Sequence, residues 1–257
     1  MSEWLLQARG LSKEFAGFQA VRNVDLDVRA GTIHVLIGPN GAGKTTLFNL
    51  LTRFITPSGG RITFDGADVT SASPARLARS GMVRSFQRSS TFGSMTALEN
   101  VRGALQRRHG GGSYAFWRSD RTLSALDDAA LSCLARVGLD AQRDIPACEL
   151  PYGAKRALEL ATTMALEPKL MLLDEPTAGI ARDEIPRITA LIKSVAQGRT
   201  VLMVEHNLGV VEAISDRITV LSRGAVLADG DYATVSRNPQ VIEAYLGGED
   251  EDDDDDV

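Results

Sequence analysis

Gly38-Pro39-Asn40-Gly41-Ala42-Gly43-Lys44-Thr45 sets glycines, a lysine and a hydroxyl in the G-x-x-x-x-G-K-[ST] spacing of a phosphate-binding loop. Glycines let the backbone curl until successive N–H groups point inward, and the N-terminus of a following helix adds partial positive charge, so the run forms a concave anion site. Lys44 is expected to reach the β- and γ-phosphates of a nucleoside triphosphate such as ATP. Thr45 would offer its hydroxyl to Mg2+, with Thr46 beside it in the nucleotide contact. Two more runs end in polar pairs. Lys169-Leu170-Met171-Leu172-Leu173-Asp174-Glu175 finishes in adjacent carboxylates, which suits Asp174 to holding the cation and Glu175 to orienting an attacking water. Thr200-Val201-Leu202-Met203-Val204-Glu205-His206 finishes in a histidine that could donate to the γ-phosphate and report whether ATP or ADP is bound.

These groups lie far apart in the chain and need a scaffold that brings them together. Ile33 to Ile37 is an apolar strand directly before the loop, and Thr45 to Leu51 is a helix directly after it. Val83 to Phe86, Leu170 to Leu173 and Thr200 to Val204 are short, nearly all-apolar runs, as expected of strands covered on both faces of a parallel sheet. His206 stands 31 positions beyond Glu175, enough for a crossover helix and a return to the same sheet edge. Before the loop, Leu5, Ala20 to Val28, Thr32 to Ile37 and, later, Arg61 to Phe64 lie in β-rich stretches split by Gly and Asp turns, which suggests antiparallel pairing. From about Met95 to Glu167 the strand signal fades. Leu123, Leu126, Ala130, Leu134 and Val137 recur at helical spacing, so a helical subdomain is expected to be inserted there, with Gly110 to Ser113 as a surface loop. A helix is expected from Asp183 to just before Gly198, and another over Ala154 to Leu166. The fold class expected is α/β: a mostly parallel sheet with flanking helices, an N-terminal antiparallel β subdomain and the helical insertion. No internal repeat is present, so one nucleotide unit spans 1–247.

The composition agrees with a globular body: 44% hydrophobic and 24% charged residues in 257. No apolar run approaches the roughly 18 to 20 residues that cross a bilayer. The first residues lack a basic region followed by an apolar one, so a secretory leader is not expected and a cytoplasmic location is. Cys133 and Cys148 match no zinc spacing and are read as free thiols. The net charge of −5 comes from Glu249 to Asp256, an unbroken acidic run read, with the rest of 248–257, as a disordered tail; without that run 25 acids face 28 bases. A nearly neutral body speaks against nucleic acid as a partner.

In their order and spacing these motifs resemble the ATP-hydrolysing subunits of ABC transporters, over about Leu5 to Gly247. The resemblance implies that Phe15 stacks on adenine, that Gln87 in Ser85-Phe86-Gln87 is the Q-loop glutamine that contacts metal or water and couples to the membrane subunit, and that His206 is the switch histidine. It also implies a head-to-tail pair of ATPase subunits, either two copies of this chain or this chain with a second, related ATPase. Each ATP is then held between the phosphate loop of one and the signature helix of the other, with two membrane permeases attached at the cytoplasmic face of the inner membrane.

The usual Leu-Ser-Gly-Gly-Gln signature reads Leu150-Pro151-Tyr152-Gly153-Ala154 here. Pro151 removes a serine hydroxyl, and either Tyr152 or the helix N-terminal amides are expected to replace its contact, with Gly153 keeping the close backbone approach. The D-loop, Thr177-Ala178-Gly179-Ile180-Ala181, has alanine where aspartate is common.

Val83-Arg84-Ser85-Phe86-Gln87, Met95 to Val101, Val204-Glu205-His206-Asn207, the insertion with Phe116 and Trp117, and Asn238-Pro239 with Val241 to Gly247 are similar to the branch that energises import of branched-chain amino acids, which would add an external binding protein. Urea, amide or other amino-acid importers, lipid or lipopolysaccharide exporters, and non-transport ABC ATPases remain open alternatives.

Overall fold

The computed structural model describes residues 3–85, 91–108 and 126–246. Two sheets meet across the core. The first is antiparallel, in the order β2-β1-β4-β5, with β1 Trp4–Phe15, β2 Phe18–Arg29, β4 Gly59–Phe64 and β5 Ala67–Asp68. The second follows the order β10-β9-β3-β8-β7-β6, from β3 Ile33–Ile37, β6 Met82–Arg84, β7 Leu170–Asp174, β8 Thr200–Val204, β9 Arg217–Ser222 and β10 Ala225–Gly230. Its pairs are parallel except β9–β10. Every residue of β3, β7 and β8 is buried, the condition under which a strand reads as a nearly continuous apolar run.

Alternate residues of these strands face different cores, as the two-residue period of a strand requires. Leu36, Leu170, Leu172, Leu202 and Val204 pack with the antiparallel sheet and with α1, Lys44–Leu51. Val35, Ile37, Met171, Leu173, Val201 and Met203 face the opposite way. They meet helices α3 Ala97–Arg108, α4 Asp127–Arg136, α5 Tyr152–Ala165, α6 Ile185–Ala196 and α7 Leu208–Ile214. A short α2, Pro74–Ser80, leads into β6, and α8 Tyr232–Val235 and α9 Pro239–Leu246 close the described chain. Helices α3, α4 and α5 pack on one another through Val101, Leu105, Leu134 and Leu158, within the region expected to be helical. Among the described residues no helix is long and apolar enough to cross a membrane.

Some boundaries differ from the sequence expectation. Helix α5 starts at Tyr152, two residues before Ala154, with Pro151 as its N-cap. Gly153 is buried in the first turn, where a Cβ would stand 2.9 Å from a Glu184 carboxylate oxygen. The β9–β10 hairpin was not among the expected strands. Arg223 and Gly224 both take positive φ, the geometry of a two-residue hairpin turn, but Arg-Gly lacks the Asn-Gly or Asp-Gly signal. Cys133 and Cys148 are both free, and burial pushes the Cys133 thiol pKa upward.

Candidate functional site

The register brings the candidate groups to one edge. Leu36 of β3 pairs with Val204 of β8, and Val204 pairs with Asp174 of β7, so the chain leaves all three strands at one level. The phosphate loop, Glu175 and His206 therefore emerge side by side at the carboxyl ends of parallel strands, where open α/β sheets place their ligands.

Gly38 opens the loop at φ 151°, and a Cβ there would stand 2.1 Å from the Leu221 carbonyl oxygen, so only glycine fits. The loop is stitched to the β9–β10 turn by the Gly224 amide, which donates to the Ala42 carbonyl at 3.0 Å. Gly43 caps α1 in a left-handed conformation with no side-chain cap, which leaves the first amides of α1 to an anion. Lys44 Nζ donates to the Gly38 and Pro39 carbonyls at 2.6 and 2.9 Å, folding the ammonium back over the loop. Burial draws the Lys44 pKa below its ordinary value, and the negative charge of Glu175 opposes that pull.

Asp174 ends β7 almost wholly buried. Its Oδ2 accepts from Arg84 Nη2 at 2.6 Å, and Arg84 Nη1 donates to Asn49 Oδ1 at 2.6 Å. The Arg84 guanidinium also lies over the rings of Phe48 and Phe54, 4.9 and 5.3 Å from their centroids. One arginine on β6 thus clamps the cation-binding candidate on β7 to the helix that starts in the phosphate loop. Glu175 follows with φ 45°, a left-handed conformation uncommon for a residue with a side chain. Its amide donates to the Val204 carbonyl at 3.0 Å and its carbonyl accepts from Ala178 at 3.0 Å.

His206 lies in the loop after β8, mostly exposed. The preceding Glu205 is fully buried, and its Oε1 accepts from the Thr177 hydroxyl at 2.7 Å and from the amides of His206 and Asn207 at 3.1 and 3.2 Å. That carboxylate ties the loop carrying His206 to the segment after Glu175. Arg84 and Glu205 are the two residues to which sequence reasoning gave no role. Glu205 carried a signal, a carboxylate straight after the four apolar residues Val201 to Val204; a buried arginine carries none.

Phe15 ends β1 opposite Phe18, half exposed, with Lys13 Nζ 4.9 Å from its ring centroid. The hairpin it belongs to reaches the phosphate loop through Ala20, whose carbonyl oxygen is 2.5 Å from where a Gly43 Cβ would be. Tyr152 and Gly153 open α5, whose N-terminus has no side-chain cap. The Tyr152 hydroxyl donates to the Ala178 carbonyl of its own chain at 2.8 Å. Gln87 and Phe86 lie outside the described residues, as do Phe116, Trp117 and the Gly110 to Ser113 loop.

Comparison with known proteins adds independent findings. Residues 21–178 match the family model described as ABC transporter, and residues 225–251 match one described as branched-chain amino acid ATP-binding cassette transporter. The chain is 41% identical over 257 aligned residues to the high-affinity branched-chain amino acid transport ATP-binding protein BraF of Pseudomonas aeruginosa, covering 96% of this chain and 99% of that one. It is 41% identical over 256 residues to the corresponding LivG protein of Salmonella typhimurium, with the same coverage. Among solved structures, the ADP conformation of an ATP-binding cassette of an ABC transporter superposes with a TM-score of 0.82 at 30% identity, covering 96% of this chain and 100% of that one.

Proposed function

The chain belongs to the ATP-binding family of ABC transporters, and from that premise we propose that it is an ATP-hydrolysing motor subunit that drives the import of branched-chain amino acids. The observation that carries the reading is the common level of the β3, β7 and β8 ends, which sets the anion-binding loop beside Asp174, Glu175 and His206. Loop amides and Lys44 bind the triphosphate, with Gly38, Pro39, Asn40, Gly41, Ala42, Gly43, Thr45 and Thr46 around it, and Phe15 stacks on the adenine. Glu175 orients the attacking water, and its unusual backbone, pinned by Val204 and Ala178, fixes where the carboxylate points. His206 and Gln87 complete the surroundings of the γ-phosphate.

The residues fit Mg2+. Asp174, a buried carboxylate at the end of β7, supplies the kind of oxygen that Mg2+ takes once or twice from protein, phosphates and water giving the rest. Thr45 and Asp174, with Gln87, would hold it, and when bound it offsets charge on the phosphate oxygens.

Alone the chain builds half a site. The uncapped tip of α5, with Tyr152 and Gly153, is suited to close over the triphosphate of a second ATPase subunit, so ATP draws two subunits together and hydrolysis lets them part. Two membrane permeases hold this pair at the inner face of the membrane and convert its closure into transport, fed by an external binding protein. The match of residues 225–251 and the names of the relatives favour branched-chain amino acids over urea, amides or exported lipids. Purification of the tagged chain from membranes should bring down two hydrophobic permeases. Reconstituted with its binding protein, that complex should take up leucine, isoleucine or valine only with ATP; ATP-driven export, or uptake confined to urea, would contradict the assignment.

A further inference from the structure

Tyr152 stands where the family signature usually carries a glycine, and it meets Ala178, Gly179 and Arg156. Its hydroxyl donates to the Ala178 carbonyl at 2.8 Å and accepts from Arg156 Nη2 at 3.0 Å. The Arg156 guanidinium lies 5.4 Å from the Tyr152 ring centroid and is anchored in turn by Glu159, Nη1 to Oε2 at 2.8 Å. That ion pair is buried, with side chains 11% and 6% exposed, so the tyrosine rests on a fixed base. On the other side the ring packs onto Gly179, where a Cβ would lie 3.1 Å from the hydroxyl.

The segment it grips leads further. Thr177, next to Ala178, donates to Glu205 Oε1, the same oxygen that holds the amides of His206 and Asn207. An unbroken chain of bonds and adjacent residues therefore runs from the tip of α5, through Ala178 and Thr177, to Glu205 and the loop of His206.

We infer that Tyr152 is a positioning residue that couples the two ATP sites of the paired motor. It ties the helix tip that closes over the partner's triphosphate to the loop that meets the chain's own. This rests on the two-subunit reading proposed above and accounts for a departure from the family pattern. With proline in place of the signature serine and Ala181 in place of the D-loop aspartate, the link between sites passes through the tyrosine hydroxyl and the Ala178 carbonyl.

The experiment compares wild type with Tyr152→Phe, which keeps the ring and deletes the hydroxyl. Circular dichroism and thermal unfolding establish first that each variant is folded. Wild-type hydrolysis should be cooperative in ATP, with a Hill coefficient approaching about 2, the number of sites. Tyr152→Phe should bring it close to 1 and raise by about tenfold the protein concentration needed for half-maximal specific activity. Thr177→Val cuts the same route without touching α5 and should lower the Hill coefficient in the same way, which keeps the test decisive if Tyr152→Phe does not fold. Full cooperativity in folded Tyr152→Phe, or in folded Thr177→Val where the first variant fails, would overturn this inference alone. Non-cooperative wild-type hydrolysis, at a rate indifferent to protein concentration, would overturn the two-subunit reading and this inference with it.

Discussion

Replacing Arg84 by methionine should cost the fold about 5 kcal/mol, because it strips a buried carboxylate of its partner and breaks a second bond. The Arg84 and Asp174 side chains are 11% and 3% exposed and meet at 2.6 Å. Removing one member of such a pair leaves an uncompensated charge in a low-dielectric interior, at roughly 3 to 5 kcal/mol. The lost bond to Asn49 adds about 1 kcal/mol, while methionine keeps much of the packing against Phe48 and Phe54. For a chain of 257 residues that is a drop in Tm of roughly 10 to 20 °C. Urea and thermal unfolding followed by circular dichroism would measure it. The cycle with Asp174→Asn separates charge from bulk. In the double variant no charge is stranded, so its loss should fall short of the summed single losses by about 2 to 3 kcal/mol. Arg84→Lys should be intermediate, since an ammonium keeps the charge but cannot fork to Asp174 and Asn49 together. A loss below about 1 kcal/mol for Arg84→Met, or an additive cycle, would refute the clamp.

Other outcomes follow from the same geometry. Lys44→Ala should weaken ATP binding by roughly one to two orders of magnitude in a fluorescence titration, since it deletes a charge-assisted contact to the phosphates. Glu205→Ala should destabilise the protein by about 3 kcal/mol in denaturant unfolding, because the Thr177 hydroxyl and the amides of His206 and Asn207 lose one shared acceptor. His34, buried on β3 and bonded to Thr219, has its pKa lowered from 6.5 to about 4, chiefly by burial and with help from Arg217, while Asp229 and Asp27 oppose the shift. The unfolded chain then takes up the proton first as pH falls. Stability should be full above about 6.5, decline by about 3 kcal/mol towards pH 4 and level off below, a slope that His34→Gln should flatten.

How much of this was legible depended on what each residue has to do. Ile33 to Ile37, Leu170 to Leu173 and Thr200 to Val204 could be read as buried strands because a strand covered on both faces takes mostly apolar side chains, with only His34 and Thr200 breaking the runs. The phosphate loop could be read because its backbone curl demands glycine at fixed places. The twelve-residue β1 could not, since register shifts near Leu11 and Lys13 break its alternation, and only Leu5 stood out. Arg84 reads as a surface cation until its partners on β7 and α1 come together in space. The direction of the Tyr152 hydroxyl is likewise a tertiary fact: residues 152 and 178 lie far apart along the chain, and the early start of α5 goes with that contact.

The mass of Glu175→Gln in solution, by light scattering with and without ATP, reaches the split catalytic centre directly. Without the carboxylate that orients water, bound ATP should persist and hold two chains together, doubling the mass, and adding Lys44→Ala should return it to that of a single chain. A Glu175→Gln protein that binds ATP to saturation and stays single, while the wild type hydrolyses equally well at every dilution, would contradict a site shared between two subunits.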